Sequence, residues 1–460
     1  MNASIRNVLF GTFTLRFSTG LTGTMLVYYI ADIERTTGTH VSAIVIALFA
    51  ALFFGAELLL SPPFGLLSDR QGFHRVMQYG PLFGAVAVVI TGFVPLLVSG
   101  SADVGSASLA VALLVIAGTR ALEGASTASS VPSILGYLAQ ATANDEDLRG
   151  KVSARFELAT IIGIGAGIGA AVIYQFIGPI AFFVNGVFYI GSLLIYRYGV
   201  AAPDSPAGPH HQPSYGLHRY LSLLRSSHVW LLAPTWIAVN AALGLYASQS
   251  LFALVRTPNP KFNSCAAPEH WYSCQLLAGG FDPLHVTTGL AIAGVVFVLG
   301  LIWWGNRFNV YRRTTIILYG LAGGAVLVAG ALLVNHGIDV ERLFGVGQAV
   351  PTLIALPAVA FGLFVLAGAT PAALGLLADM SEAFPDDRGA IMGLYSVFLA
   401  IGQIAGAFLG GVATEAFAFD GILLATLLLL AIALVPLFRL RAFEHRFEKS
   451  PAEGLRLPME

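Results

Sequence analysis

Long apolar runs separated by short polar segments dominate the sequence. Six runs of roughly 20 residues or more occur in the first half, at 8–31, 43–67, 77–98, 109–140, 156–178 and 180–199. Six more follow a polar stretch, at 229–254, 285–304, 315–335, 350–379, 390–414 and 421–438. Because about 20 apolar residues in a helix cross the hydrocarbon core of a bilayer, the pattern predicts an all-α membrane protein with twelve transmembrane helices.

The composition supports a membrane protein and argues against a soluble enzyme. Hydrophobic residues make up 56% of the 460 residues, charged residues make up 11%, and the mean hydropathy is +0.78. Soluble chains carry about 25% charged residues. The net charge of −1 gives no sign of a nucleic-acid partner. Arg16 interrupts the first apolar run, so we expect that run to remain as a helix and not to be removed as a signal peptide.

The positively charged residues predict the orientation. If the N-terminus is cytoplasmic, eighteen of the 24 Lys and Arg residues lie in cytoplasmic segments and four lie on the opposite side. Cytoplasmic loops of membrane proteins carry an excess of Lys and Arg. The sequence therefore predicts an integral protein of a bacterial plasma (inner) membrane with both termini in the cytoplasm.

The chain is predicted to consist of two related six-helix halves. Residues 1–199 form the first half, 200–227 a cytoplasmic linker with an amphipathic helix, 228–445 the second half and 446–460 a cytoplasmic tail. At an offset of 239 residues the halves share an Arg-Gly pair and two glycines of the following helix. These matches are Arg149 with Arg388, Gly150 with Gly389, Gly163 with Gly402 and Gly167 with Gly406. Parallel repeats of this kind place a substrate site between the halves near the bilayer midplane.

A loop motif after the second apolar run resembles that of a known family. The chain reads Gly65-Leu-Leu-Ser-Asp69-Arg70-Gln-Gly72-Phe-His-Arg75, which resembles the G-x-L-[AS]-D-R-x-G-[RK]-[RK] pattern of major facilitator superfamily transporters. The resemblance covers essentially the whole chain. It implies two six-helix pseudo-symmetric halves that work by alternating access, and a conformational latch formed by these five numbered residues. The sequence departs from the pattern at Phe73 and His74, where the family usually has bases. That departure concerns loop contacts with phospholipid.

Two further patterns resemble those of proton-coupled efflux members. Arg120-Ala-Leu-Glu-Gly124 in the fourth run fits an R-x-x-x-G pattern associated with proton coupling. In the fifth run, glycines recur at every second position, as in the family's antiporter motif, although the motif's Gly-Pro and closing Gly-Gly are missing. These are Gly163, Gly165, Gly167 and Gly169. Small residues also allow close helix packing, which is a sufficient structural explanation for these four and for Gly124.

Four charged residues well inside the predicted helices are singled out, because charges within a membrane usually face a cavity or a partner. Glu57 and Glu123 are the candidate proton-coupling carboxylates, and Arg16 and Arg120 are the candidate cavity cations. Arg16 and Glu57 lie at similar predicted depths, and Arg120 and Glu123 stand three residues apart on one helix face. Two structural ion pairs are the alternative interpretation. The second half is expected to hold no comparable buried charge. It offers polar and aromatic residues instead, namely Asn240, Gln249, Gln403, Trp236 and Tyr395.

Cys265 and Cys274 lie in a polar stretch at 255–284 on the predicted outer side, where an oxidising medium permits a disulfide; two unpaired thiols are the alternative. No metal site, P-loop or nucleophile-base set is found. We expect no cofactor, with a proton gradient as the energy source, and a monomer in contact with membrane lipids. The sequence favours proton-coupled efflux of a lipophilic or amphipathic small molecule. The alternatives are an uptake symporter or facilitator for a polar metabolite (a sugar, organic acid or peptide) and a non-transporting membrane receptor.

Overall fold

The computed structural model describes residues 3–99, 106–142, 146–201, 229–265, 273–307, 310–345, 347, 349–382 and 388–449. Within these ranges the regular structure is helical, apart from an isolated β-bridge between Asn263 and Cys274. Large apolar side chains such as Leu59 and Leu114, both 73% exposed, cover the outer faces of the helices. Lipid solvates such side chains, and helices satisfy their own backbone polar groups. The prediction of an all-α membrane protein is confirmed.

The described part of residues 3–201 forms helices that follow the six apolar runs of the first half. Their bounds are α1 (Ala3–Thr37), α2 (Ala43–Gln71), α3 (Phe73–Val76), α4 (Tyr79–Ser99), α5 (Ser106–Ala141), α6 (Glu146–Ala170), α7 (Ile173–Ile177) and α8 (Ile180–Gly199). The Ser42 hydroxyl caps α2 by accepting the Ile44 N–H at 3.2 Å. Gly72 ends α2 with a φ of 91°, and its N–H donates to the Ser68 carbonyl at 2.9 Å.

The described part of residues 229–449 forms the helices of the second half. Their bounds are α9 (Val229–Val255), α10 (Pro283–Gly305), α11 (Arg313–Asn335), α12 (Gly337–Phe344), α13 (Ala349–Leu366), α14 (Ala369–Glu382) and α15 (Arg388–Lys449). A 3-10 turn, Pro260–Phe262, lies between α9 and α10. Helix α15 is broken at Phe417 and Ala418, where the backbone leaves helical geometry and Ala418 has a φ of 50°.

Among the described residues, ten helical segments are long and apolar enough to cross a membrane. The prediction counted twelve. Two features account for the difference. Helix α1 is not among the ten, and it carries Arg6, Arg16, Asp32, Glu34 and Arg35 along its length. The last two predicted helices are continuous in α15 and are separated only by the break at Phe417–Ala418.

The chain forms two compact units. The first comprises Met1–His211, Val255–Thr257 and Gly280–Ala291, and the second comprises Gln212–Leu254, Pro258–Gly279 and Ile292–Glu460. In the first unit α1 packs on α6 and α8, and α5 packs on α2 and α4; in the second, α11 packs on α13, α14 and α15. The boundary after His211 falls in the predicted linker, of which 202–228 lie outside the described residues, as do 450–460 of the predicted tail.

Two short segments of the predicted second half, 255–257 and 280–291, belong to the first unit because they contact α1. A guanidinium nitrogen of Arg35 donates to the Val255 carbonyl at 2.9 Å. The Tyr28 hydroxyl donates to the Pro283 carbonyl at 3.2 Å and also contacts the Thr287 hydroxyl. The first unit therefore contains the end of α9 and the first turns of α10.

Candidate functional site

The centre of the candidate site is an ion pair within α5. Arg120 and Glu123 lie one helical turn apart, and the Arg120 guanidinium donates to Oε2 of Glu123. The Arg120 guanidinium also lies over the Phe53 ring, 4.8 Å from its centroid. The Glu123 side chain is 2% exposed and that of Arg120 is 13% exposed. Oε1 of Glu123 has no hydrogen-bond partner among the described residues, so one carboxylate oxygen is held by a cation and the other is left as an acceptor.

Polar side chains of α1 and α8 surround this carboxylate. The Asn185 amide on α8 donates to the Thr22 hydroxyl at 2.7 Å and to the Ser18 carbonyl at 3.0 Å, which joins α8 to α1. Thr22 lies beside Glu123 with its hydroxyl donating to the Ser18 carbonyl at 2.9 Å, and Tyr189 interacts electrostatically with the same carboxylate. Buried polar groups that are hydrogen-bonded to one another hold their positions. The pair on α5 therefore lies among fixed polar side chains inside the first unit.

Arg16 on α1 forms a second group of charges. Its guanidinium lies 3.4 Å from the Thr127 hydroxyl, one helical turn beyond Glu123 on α5. Glu57 on α2 and Glu157 on α6 both interact electrostatically with Arg16. The structure places Arg16 and Glu57 in the same group, as their predicted depths require, but the two side chains form no direct ion pair. Both predicted charge pairs therefore occupy neighbouring parts of one helix bundle.

Glu157 is a member of this group that the sequence analysis missed. It lies near the start of the fifth apolar run, two residues after Arg155, and it is exposed. That position resembles an ordinary helix end at the membrane surface. The feature that distinguishes Glu157 is its position along the helix. Helix α6 begins at Glu146, which places Glu157 about three turns from the start of the helix.

Three of the five predicted packing glycines lie at helix contacts. A Cβ atom at Gly163 would lie 2.7 Å from the Phe13 carbonyl oxygen of α1, and one at Gly167 would lie 2.7 Å from the Leu21 nitrogen. Gly124 meets the Phe53 carbonyl and the Ala56 Cβ of α2. Substitution by any larger residue would push the helices apart.

The prediction is wrong for the other two glycines. No described atom lies within 4 Å of a Cβ placed at Gly165 or Gly169. An α-helix turns by about 100° per residue, so residues two apart point to different sides, and the alternating pattern cannot place all four glycines against one partner.

The same contact recurs in the second unit. A Cβ atom at Gly402 would lie 2.6 Å from the Ile237 carbonyl oxygen, and one at Gly406 would meet the Ala241 carbonyl, both on α9. Each partner helix also has a glycine at the contact: Gly20 of α1 faces Ile164 of α6, and Gly244 of α9 faces Gln403 of α15. An offset of 224 residues relates the α1 positions to those of α9, while 239 residues relate α6 to α15. Arg16 thus corresponds to Asn240, so the repeat preserves the helix contact but not the charge.

The predicted latch residues lie around the end of α2. A Cβ atom at Gly65 would make only an ordinary contact with Pro132, and the φ of 91° at Gly72 forms the turn into α3. Arg70 and Arg75 are exposed. The backbone of Asp69 is in the last turn of α2, and its side chain lies outside the described part. The latch role of these residues stays a prediction.

A second ionic cluster in the first unit joins the end of α1 to the end of α9. Glu34 Oε1 lies 3.0 Å from Nδ1 of His40 and 3.9 Å from a guanidinium nitrogen of Arg256. The same Arg256 nitrogen lies 3.1 Å from Nδ1 of His40. Glu34 and Arg256 are both buried, so this cluster is shielded from solvent more than a surface ion pair is.

The expectation of no comparable buried charge in the second half is wrong. Asp420, beside the break in α15, is fully buried and lies 3.0 Å from Nε2 of His336. Both residues lie just outside the predicted apolar runs, which end at 335 and begin at 421. The other predicted polar and aromatic residues, Asn240, Gln249, Gln403 and Trp236, are wholly or partly buried, whereas the Tyr395 side chain lies outside the described residues.

Cys265 and Cys274 form a disulfide in the structure, and the intervening residues 266–272 lie outside its described part. In the described ranges, no three His, Cys, Asp or Glu side chains come together in a way that could hold a metal ion.

Comparison with known proteins identifies the family. The model of the Major Facilitator Superfamily matches residues 8–337 and 277–459, which together cover nearly the whole chain. One curated relative, Multidrug resistance protein 2 of Bacillus subtilis (strain 168), is 23% identical over 381 residues. The match covers 81% of this chain and 80% of the relative.

Two solved structures share the fold. A mutant of the nucleoside transporter NupG has a TM-score of 0.66 at 11% identity, covering 95% of this chain and 99% of NupG. A D-xylose-proton symporter has a TM-score of 0.64 at 13% identity, covering 94% of this chain and 97% of the symporter. At these identities the likeness shows the fold alone, which confirms the predicted fold class. The chain is an integral membrane protein and belongs to the Major Facilitator Superfamily of transporters.

Proposed function

We propose that the chain is a proton-coupled exporter of lipophilic or amphipathic small molecules. It would work by alternating access in a bacterial plasma membrane, with both termini in the cytoplasm. The observation that supports this proposal best is the state of Glu123. It is a buried carboxylate with one oxygen bound by Arg120 and the other without a hydrogen-bond partner among the described residues.

Such a carboxylate can exchange its charge for a proton. While Glu123 is ionised, its attraction to Arg120 offsets part of the cost of burying both charges. When Glu123 takes up a proton, the ion pair is lost, and Arg120 keeps its contact with the Phe53 ring. The proton and Arg120 therefore compete for the same carboxylate, which is the property that a proton-coupled carrier needs.

Arg16 extends this competition to a second place. It faces Glu57 and Glu157 and contacts Thr127, which lies one turn from Glu123 on α5. A change of charge at either carboxylate alters the electrostatic potential at Arg16. We assign proton coupling to Glu57 and Glu123. Arg16 and Arg120 are the cations whose interactions change when these carboxylates gain or lose a proton.

The second unit supports a lipophilic substrate. At Asn240, which corresponds to Arg16 in the repeat, an amide replaces the cation, and its Nδ2 donates to the Trp236 carbonyl at 2.9 Å. Apolar residues dominate the surrounding helices. The relative from Bacillus subtilis is named a multidrug resistance protein, which agrees with such a substrate. A symporter for a polar metabolite is the second candidate, because one structural neighbour is a D-xylose-proton symporter.

The test is proton flux in proteoliposomes that contain a pH-sensitive dye. An imposed proton gradient is combined with lipophilic cations and drug-like compounds in one series, and with sugars, nucleosides and organic acids in another. We expect a lipophilic compound to trigger proton flux in the wild type. Glu123→Gln should abolish that flux, because the amide keeps the size of the side chain but cannot carry the exchanged proton.

Glu341→Gln is the matched control, since Glu341 is exposed on α12 and outside the spanning helices. It should transport as the wild type does. Proton flux with sugars or nucleosides alone would contradict export of lipophilic compounds and favour the symporter. Normal coupling in Glu123→Gln would show that Glu123 does not carry the exchanged proton.

A further inference from the structure

The buried carboxylate of Asp420 is the centre of a hydrogen-bond network in the second unit. Nδ2 of Asn335, the last residue of α11, donates to Oδ1 of Asp420 at 2.8 Å. Nε2 of His336, the next residue, lies 3.0 Å from both carboxylate oxygens. Asp420 itself follows the break at Phe417 and Ala418. The end of α11 is thus joined to the turn within α15 through one carboxylate.

The segment 273–277, which carries Cys274 of the disulfide, is bound to the same network. The N–H groups of Leu276 and Leu277 donate to the carbonyl and the side-chain oxygen of Asn335, at 2.9 and 2.8 Å. Gln275 donates to the Phe417 carbonyl at 2.9 Å, and its own side-chain oxygen accepts the Asp420 N–H at 3.1 Å. Every one of these bonds involves a residue that touches Asp420 or the break beside it.

His336 adds a second titratable group, an imidazole, to the network around the Asp420 carboxylate. Nδ1 lies 3.3 Å from Asp339 on α12, and Nε2 faces Asp420, so a protonated ring can donate to both carboxylates. Arg342 on α12 lies 3.7 Å from Asp339 and shares that carboxylate. The His336 side chain is 19% exposed whereas Asp420 is fully buried, so a proton reaches the pair through the histidine.

We propose that His336 and Asp420 form a protonation-dependent clamp that holds the segment 273–277 on the ends of α11 and the two parts of α15. A charged His336 neutralises the buried carboxylate that organises the segment's contacts. Loss of that proton leaves a buried negative charge with neutral donors alone, and such a charge is costly. The segment then opens more often. This inference does not depend on proton-coupled export by the first unit.

The direction of the pH effect follows from the contacts. The hydrogen bond to Asp420 raises the pKa of His336 above its ordinary value, and this outweighs the opposing effect of burial. A group with a raised pKa stabilises the folded arrangement fully below its ordinary pKa, and that stabilisation is lost as the pH rises through the raised pKa. The clamp is therefore closed in an acidic medium and loosens as the medium becomes alkaline.

Hydrogen exchange of the full-length protein in lipid nanodiscs tests the clamp. Exchange at Leu276 and Leu277 is followed between about pH 5 and pH 8, continued into the alkaline range, and corrected for the intrinsic pH dependence of amide exchange. We expect the corrected rate to rise by at least about tenfold with pH, the order that loss of one charge-assisted hydrogen bond brings. His336→Gln should remove the pH dependence and leave exchange fast throughout.

His285→Gln is the matched control. His285 also has an aspartate three residues away, at 3.7 Å, but it is 82% exposed and belongs to the first unit. It should leave the pH profile unchanged. Asp420→Asn provides a second variant of the pair and should also abolish the pH dependence. A flat profile in the wild type, or a pH dependence that persists in His336→Gln, would overturn the proposal.

Discussion

Replacing Gly167 by alanine, compared with the same change at Gly165, measures what the close contact between α1 and α6 contributes to stability. A Cβ at Gly167 would lie 2.7 Å from the Leu21 nitrogen and 3.0 Å from the Phe17 carbonyl carbon, whereas ordinary contact begins at 3.4 Å. These are backbone atoms of a helix, so no side chain can rotate away. At Gly165 nothing described lies within 4 Å of the added atom.

The comparison isolates the packing cost. Alanine favours a helix over glycine by about 1 kcal/mol, and both variants receive that gain. Forcing an extra methyl group into a filled contact costs about 1–3 kcal/mol, and Gly167→Ala alone bears it. We therefore expect Gly167→Ala to unfold more readily than Gly165→Ala by about 1–3 kcal/mol.

The assay is thermal unfolding of the two purified variants in one detergent, followed by intrinsic fluorescence and by monodispersity on size exclusion. The wild type should unfold below Gly165→Ala, which gains helix propensity without a packing cost, and at or above Gly167→Ala. Equal midpoints for Gly165→Ala and Gly167→Ala, or the reverse order, would refute the reasoning that these two glycines face different surroundings.

Three further outcomes are expected. Arg120→Gln should lower the free energy of unfolding in detergent by roughly 3 kcal/mol, because it leaves the buried Glu123 without its cation. The double variant with Glu123→Gln should recover much of that loss. Additive losses would show that the two side chains are not coupled. Gly72→Ala should cost about 1–2 kcal/mol, since its φ of 91° is strained for alanine, and an unchanged thermal midpoint would contradict this. Glu34→Ala should lower the thermal midpoint, because the buried Arg256 loses its carboxylate, whereas the double variant with Arg256→Ala should unfold closer to the wild type.

Sequence patterning predicted the parts of this protein that depend on one helix at a time. The apolar runs located the spanning helices because the bilayer sets their length. The spacing of Arg120 and Glu123 predicted their contact because three residues are one helical turn. Sequence patterning could not show where a helix ends beyond its apolar run. Helix α1 continues past the predicted end of its run to Thr37, and in this extension Glu34 contacts Arg256 and His40.

The residues that sequence analysis missed depend on contacts between distant segments. His336 and Asp420 are 84 residues apart, and each follows or precedes an apolar run as an ordinary loop residue would. Nothing in either local sequence marks the other as its partner. The same limit applies to the glycines of α6, since their spacing shows that some of them can face α1 but not which ones.

The duplicated contact of α1 with α6, and of α9 with α15, indicates which side chains can change without loss of the fold. Both copies have glycines at this contact, and Gly20 and Gly244 occupy corresponding positions in the two copies. Beside that contact one copy carries Arg16 and the other carries Asn240. Because the glycines form the contact, the residue beside it can be a cation or an amide without a change in helix packing, and a substitution there alters the polarity of the unit's interior and leaves the fold in place.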